Sequence, residues 1–219
     1  MAILKKVSPQ FLADLGCGTG RLTTHFSEAG YIITAIDPNE EAIEYAKKKA
    51  YANDVTWIVG DSSHLGASAY DAVVMTANVA QVFLTDESWR QVVSDVYRSL
   101  NPGGHFIFDT RNPLAKAWEQ WEKDLTPDVA KDMTTGDPLE IWMEYEGFEG
   151  VVFTFYETVK SVQTGDVLIR EKMQLRFRSM EEIGESLQQA GFSLFQVYGD
   201  WKFEPATAQS QSFIFHAVK

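Results

Sequence analysis

Through the first half of the chain, apolar residues come in short unbroken runs, separated by stretches with helical spacing. The runs "QFLADLG", "YIITAID", "VTWIVGD" and "YDAVVMT" predict four strands buried on both faces, and "HFIFDT" predicts a fifth. Leu22, Phe26 and Ala29 share one helical stripe that stops at Gly30. "PNEEAIEYAKKKA" runs from Pro38 and acidic residues to lysines, the charge order a helix dipole favours. Trp89, Val92, Val93, Val96 and Leu100 form the stripe of a later helix, halted by "NPGG" at 101–104. Continuous strands alternating with helices predict a parallel, doubly wound sheet as far as residue 110.

The pattern then changes. Residues 111–138 are polar and contain tryptophans, and read as a helix plus loop. "LEIWMEYEGF", "VVFTFYETVK" and "DVLIREKMQLRFRS" predict an insertion of three antiparallel strands, with turns at Glu149-Gly150 and "QTGD". In the third run Val167, Ile169, Met173, Leu175 and Phe177 alternate with Arg170, Lys172, Gln174, Arg176 and Arg178. That alternation predicts one buried face and one solvated basic face, paired across the sheet with Glu144, Glu146 or Glu157. Ser179 and Glu182 make a capping box before the stripe Ile183, Leu187 and Ala190, and Gly191 ends the helix. "FSLFQVYGDW" and "QSFIFHAVK" predict a closing antiparallel hairpin. The chain reads as one α/β domain over residues 1–219, with residues 111–178 inserted after the fifth strand.

Composition narrows the functional classes. The 219 residues carry a net charge of -12, which repels phosphate backbones and argues against nucleic acid as a partner. One cysteine, Cys17, excludes an internal disulfide and a cysteine-rich zinc cage, and no metal site is expected. No apolar stretch approaches the roughly 20 residues that span a bilayer, and the first ten residues do not resemble a signal peptide, so a cytoplasmic protein is expected.

"ADLGCGTGR" sets Gly16, Gly18 and Gly20 between a strand and a helix. Ligands bind there in open α/β sheets, because backbone N–H groups and missing side chains admit close approach. The spacing is not G-x-G-x-x-G, since Arg21 stands at the third position, and the turn lacks the Lys-Ser/Thr ending of a P-loop. Asp14, just inside the strand, suits a ligand with an ammonium group better than a pyrophosphate.

With these residues in place, 11–109 resembles the class I S-adenosylmethionine-dependent methyltransferases. The resemblance implies a Rossmann-like sheet of seven strands, mostly parallel with an antiparallel last strand. It also implies S-adenosylmethionine as cofactor and S-adenosylhomocysteine as product. It assigns the glycines and Asp14 to the methionyl end and ribose, and Asp37, with Pro38 beside it, to the ribose hydroxyls. Asp61 matches the residue that accepts from the adenine amino group, Ser62 the one whose N–H meets the ring, and Thr76 to Asn78 the segment that holds the methionyl ammonium. Alternative readings are a non-catalytic S-adenosylmethionine-binding protein and an NAD(P)-dependent oxidoreductase, the latter disfavoured by Arg21 and the closing hairpin.

Methyl transfer needs alignment and exclusion of water more than a catalytic triad, and His25, His64, His105 and His216 show no metal-ligand spacing. Asn78 and Gln81, after the fourth strand, and Arg111, after the fifth, are the residues expected to orient an acceptor. A histidine commonly stands at the place of Asn78 in the relatives, so no general base is expected there. The acceptor is expected to be a small molecule, without a "NPPY"-type base-methylation signature. Only ten residues precede the first strand, where many such enzymes carry a helical cap. The insertion is expected to serve as lid, and its strands as a homodimer surface.

Overall fold

The structure, a computed structural model, describes residues 2–121, 126–132 and 135–219. A sheet ordered β10-β11-β5-β4-β1-β2-β3 forms its centre. β1 (Phe11–Leu15), β2 (Ile32–Asp37), β3 (Val55–Val59), β4 (Tyr70–Met75) and β5 (Leu100–Arg111) are parallel to one another. β11 (Ser212–Val218) runs antiparallel to both β5 and β10 (Leu194–Tyr198), as the closing hairpin predicts. Apolar residues cover both faces. On one, Trp89, Val92, Val93 and Val96 of α4 (Asp86–Ser99) and Ile183 and Leu187 of α6 (Met180–Ala190) meet Phe106, Phe108 and Phe215. On the other, Ile3 and Leu4 of α1 (Ala2–Val7) and Phe26 of α2 (Thr23–Glu28) meet Leu12, Ile33, Val74 and Ile107.

Several boundaries differ from the pattern. α2 is only six residues long, and α3 covers Glu40–Ala46 behind an Asn39 cap, leaving Pro38 outside it and the lysines in a turn. "NPGG" lies inside β5 rather than before it; Gly103 takes φ +76° there, and its N–H reaches the Lys219 carbonyl. His105 and His216 hydrogen-bond to each other at 3.0 Å near the amino end of β5, and burial lowers both pKa values.

The insertion is a sheet of four strands, not three, ordered β6-β7-β8-β9. β7 (Pro138–Glu149), β8 (Val152–Ser161) and β9 (Val167–Arg176) occupy the predicted runs. β6 (Asp128–Lys131) escaped the pattern because four residues are too few to show a period of two. In the stretch read as helix plus loop, α5 is a single turn, Trp118–Trp121, while residues 122–125 and 133–134 lie outside the described residues. β9 does not bury one face along its length. It is an edge strand, and Val167, Leu168 and Ile169 are all about half exposed. Arg170 meets its predicted partner Glu144 at 2.8 Å and stacks over Tyr156. Arg176 and Arg178 instead turn inward. They donate to the carbonyls of Leu84 and Thr85 at 3.1 and 2.9 Å, and Arg176 pairs with Asp86 at 2.6 Å. These bonds tie the second sheet to the start of α4.

Candidate active site

The segments at the carboxyl ends of β1 and β4 enclose a cavity of about 280 Å³, lined by Asp14, Gly16, Cys17, Gly18, Thr19, Arg21 and Thr76 among others. Gly16, Gly18 and Gly20 all have positive φ, but for three different neighbourhoods. A Cβ on Gly16 would lie 2.7 Å from Val79, and one on Gly20 would lie 2.6 Å from Trp57 and 2.9 Å from Ala46. Those two glycines make room for the protein's own side chains. At Gly18 a Cβ would meet nothing within 4 Å, so this is the glycine whose missing side chain leaves open space.

Two buried carboxylates organise the turn. Asp14 is 2% exposed, and burial pushes its carboxyl up to about 6 despite a 2.6 Å hydrogen bond from the Thr23 hydroxyl. Thr23 stands nine residues from Asp14, and nothing in the glycine motif pointed to it. Asp37 accepts from the Gly18 N–H at 2.7 Å through Oδ2 and from the Asn39 N–H at 2.9 Å through Oδ1. A carboxylate has about four lone-pair sites, so both oxygens can still accept from a ligand. The Cys17 thiol is held far above its ordinary pKa, first by burial and then by Asp14 and Asp37, so it is an inert wall.

Asp61 and Ser62 follow β3, beside the end of β2, where the Gly60 N–H reaches the Asp37 carbonyl at 3.0 Å. Asp61 Oδ1 caps its own turn through Ser63, which lowers its pKa, while the side chain is 73% exposed. The Ser62 hydroxyl donates to Asp95 at 2.8 Å and faces the core. Neither residue lines the cavity, and nor do Pro38, Asp37 or Gly20.

After β4 the backbone is strained. Ala77 and Asn78 both take left-handed φ, +62° and +64°, at a cost of roughly 1–3 kcal/mol each. The Asn78 N–H donates to Asp109 Oδ1 at 3.3 Å, which anchors this turn to β5. Gln81 is fully buried, accepting from Arg111 Nη1 at 2.7 Å, and the Arg111 guanidinium lies 4.8 Å from the centre of the Trp121 ring. Asn78 Oδ1 and Gln81 Nε2 are buried without a partner among the described residues: one unused acceptor and one unused donor. The sequence assigned Asn78, Gln81 and Arg111 to one site. Gln81 and Arg111 do touch, and Asn78 lies one helical turn from Gln81 in sequence. The anchor Trp121 was not foreseen.

A second cavity of about 270 Å³ adjoins the first and shares Arg21, Leu22, Thr76 and Ala77 with it, adding Asp109 and Trp201. Taken together, the turn suits S-adenosylmethionine: unshared acceptor capacity for an ammonium group and hydroxyls, an open space at Gly18, and no lysine for a pyrophosphate.

Comparison with known proteins agrees. Residues 12–104 match the model of a methyltransferase domain. The chain is 26% identical over 213 residues to YqeM of Bacillus subtilis (strain 168), covering 95% of this chain and 83% of that protein. Several other curated relatives align over less than half of their own length. A Clostridium acetobutylicum ATCC 824 S-adenosylmethionine-dependent methyltransferase superposes with TM-score 0.78 at 16% identity, covering 99% of this chain and 87% of that one. CalS10, an amino pentose methyltransferase from Micromonospora echinaspora solved with the cofactor bound, superposes with TM-score 0.70 at 17% identity, covering 99% and 88%. The domain match falls on the strands that build the glycine turn, and the fold around it recurs over nearly the whole chain; together these findings support a class I S-adenosylmethionine-dependent methyltransferase.

Proposed function

We propose that this methyltransferase acts on a small-molecule acceptor. The observation that carries this reading is the second cavity, about 270 Å³ and in direct contact with the first, a size that suits a small organic molecule. Amino pentoses, the acceptors named for CalS10, belong to that size class.

Bound S-adenosylmethionine supplies a methyl group on a sulfonium, ready for in-line displacement. Asp14 and the carbonyls from Thr76 to Asn78 face its methionyl ammonium, Gly16 and Gly18 flank its path, and Asp37, beside Pro38, takes the ribose hydroxyls. Asp61 and the Ser62 N–H receive the adenine, while Gly20 fixes the turn by close packing. Asn78, Gln81 and Arg111, none of which lines either cavity, orient the acceptor through the turn they hold: Asn78 ties that turn to Asp109, and Gln81 and Trp121 hold Arg111 in place. Residues 111–178 form the lid that excludes water, supported by the Arg176 and Arg178 contacts to residues 84–86. The net charge of -12 favours this acceptor class over nucleic acid and fits a cytoplasmic enzyme. A second copy of the chain meets the half-exposed Val167, Leu168 and Ile169.

The test is titration calorimetry with S-adenosylmethionine, S-adenosylhomocysteine and NADH, followed by a small-molecule screen for S-adenosylhomocysteine release. Binding of the first two ligands but not NADH, with release on adding an acceptor, is expected. NADH binding, or cofactor binding without turnover of any small molecule, would overturn the proposal.

Asp14 adds a pH signature. Below about pH 6 its buried carboxyl is protonated and offers no charge to an ammonium, so affinity for S-adenosylmethionine is expected to fall as the pH drops through 6. Near pH 6, binding is expected to release a proton, making the measured enthalpy depend on the buffer's ionisation heat. Asp14→Asn is expected to abolish that dependence. A wild-type enthalpy independent of buffer would remove Asp14 from this role.

A further inference from the structure

The second cavity has a chemistry of its own. Asp109, at the end of β5, is 6% exposed, and burial raises its carboxyl above the usual range, against the pull of the Asn78 and Ala77 N–H groups and Arg111. It forms no direct ion pair among the described residues: Arg111 acts on it only through space, its guanidinium being bonded to Gln81 and stacked on Trp121. Trp201, from the loop between β10 and β11, supplies an indole to the same cavity. Arg21 stands exposed where the two cavities meet and has no partner among the described residues. A buried carboxylate without a direct ion pair is costly, and a cation that joins it beside an aromatic face offsets that cost.

We infer that this cavity takes the acceptor as a small amine, its ammonium group held by Asp109 and covered by the Trp201 ring, and that Asp109 accepts the proton the amine must lose. The inference rests on the small-molecule reading above and names its substrate class. An ammonium has no lone pair; one proton moves from its nitrogen to a carboxylate oxygen of Asp109, leaving a neutral amine and a neutral carboxyl. The surroundings favour that direction. Burial disfavours both charges of the pair, and so favours the neutral amine with the protonated carboxyl. An alcohol would gain nothing comparable from a buried carboxylate.

The test uses matched pairs of probes, ethanolamine, cyclohexylamine and glucosamine against ethylene glycol, cyclohexanol and glucose. Binding is read by saturation-transfer NMR on the whole chain saturated with S-adenosylhomocysteine, so no turnover occurs. An amine is expected to bind where its alcohol does not. Asp109→Asn keeps an oxygen for the Ala77 and Asn78 N–H groups while removing the charge, and is expected to weaken amine binding at least tenfold with S-adenosylhomocysteine still bound. Trp201→Leu, in a separate loop, is expected to weaken it several-fold. Equal signals from amines and alcohols, no amine signal, or unchanged amine binding in Asp109→Asn would overturn the inference. Failure of the wild type to bind S-adenosylhomocysteine would instead remove the reading beneath it.

Discussion

Asp37→Ala is expected to lower the affinity for S-adenosylmethionine at least tenfold in a protein that still folds. The substitution removes more than a contact with ribose. Both carboxylate oxygens are in use within the protein, one for the Gly18 N–H and one for the Asn39 N–H, so alanine leaves two donors without their acceptor, one of them in the glycine turn that lines the cavity. Hydrogen bonds to charged groups contribute about 1.5–3 kcal/mol each, and losing one such bond to the ligand already exceeds the roughly 1.4 kcal/mol of a tenfold change. Relaxation of the glycine turn adds to that loss. Asp37→Asn, which retains one acceptor oxygen, should fall between wild type and alanine. Calorimetric titration of the folded variants checks the order, and an unchanged affinity in Asp37→Ala would show that the ribose lies elsewhere.

Gly16→Ala is expected to destabilise the fold by about 2–5 kcal/mol, the sum of a left-handed alanine and an overpacked contact. The new Cβ would sit 2.7 and 2.8 Å from the two methyl groups of Val79, at a φ of +74°. Val79→Ala in the same chain removes the collision but not the backbone cost, so the double variant should recover part of the stability. Gly18→Ala provides the contrast. Its backbone is also left-handed, but nothing stands within 4 Å, so a smaller loss of stability and a larger loss of cofactor affinity are expected. Chemical denaturation separates these outcomes. Wild-type stability in Gly16→Ala would mean that Val79 moves aside freely.

The parallel sheet was legible because strands buried on both faces must be continuously apolar, and each of the five runs became one. The closing hairpin was legible for a similar reason: no helical stripe intervenes to carry the chain across. The site was legible only where its residues are neighbours in sequence. Asp14 and the three glycines announce themselves within one turn, whereas Thr23, Trp121 and Trp201 reach the site through tertiary contact, and their spacing holds no period to read. β9 shows the opposite failure. Its clean alternation is real, but alternation reports only which residues share a face, and an edge strand that protrudes leaves both faces wet. Arg176 and Arg178 were placed in solvent because charge normally goes there; the carbonyls of Leu84 and Thr85 make the exception possible.

That exception limits how the molecule can be rebuilt. Arg178 is 3% exposed, lies over the Trp89 ring and sits beside Arg176, so two like charges share a largely dry seam. A chimera that exchanges residues 111–178 for the matching segment of another methyltransferase removes both Arg176 and Arg178, and leaves Asp86 without the arginine that neutralises it. The transplantable unit is therefore not a contiguous segment. It is residues 84–86 together with residues 111–178, two pieces of chain that can be inherited or engineered only as a pair.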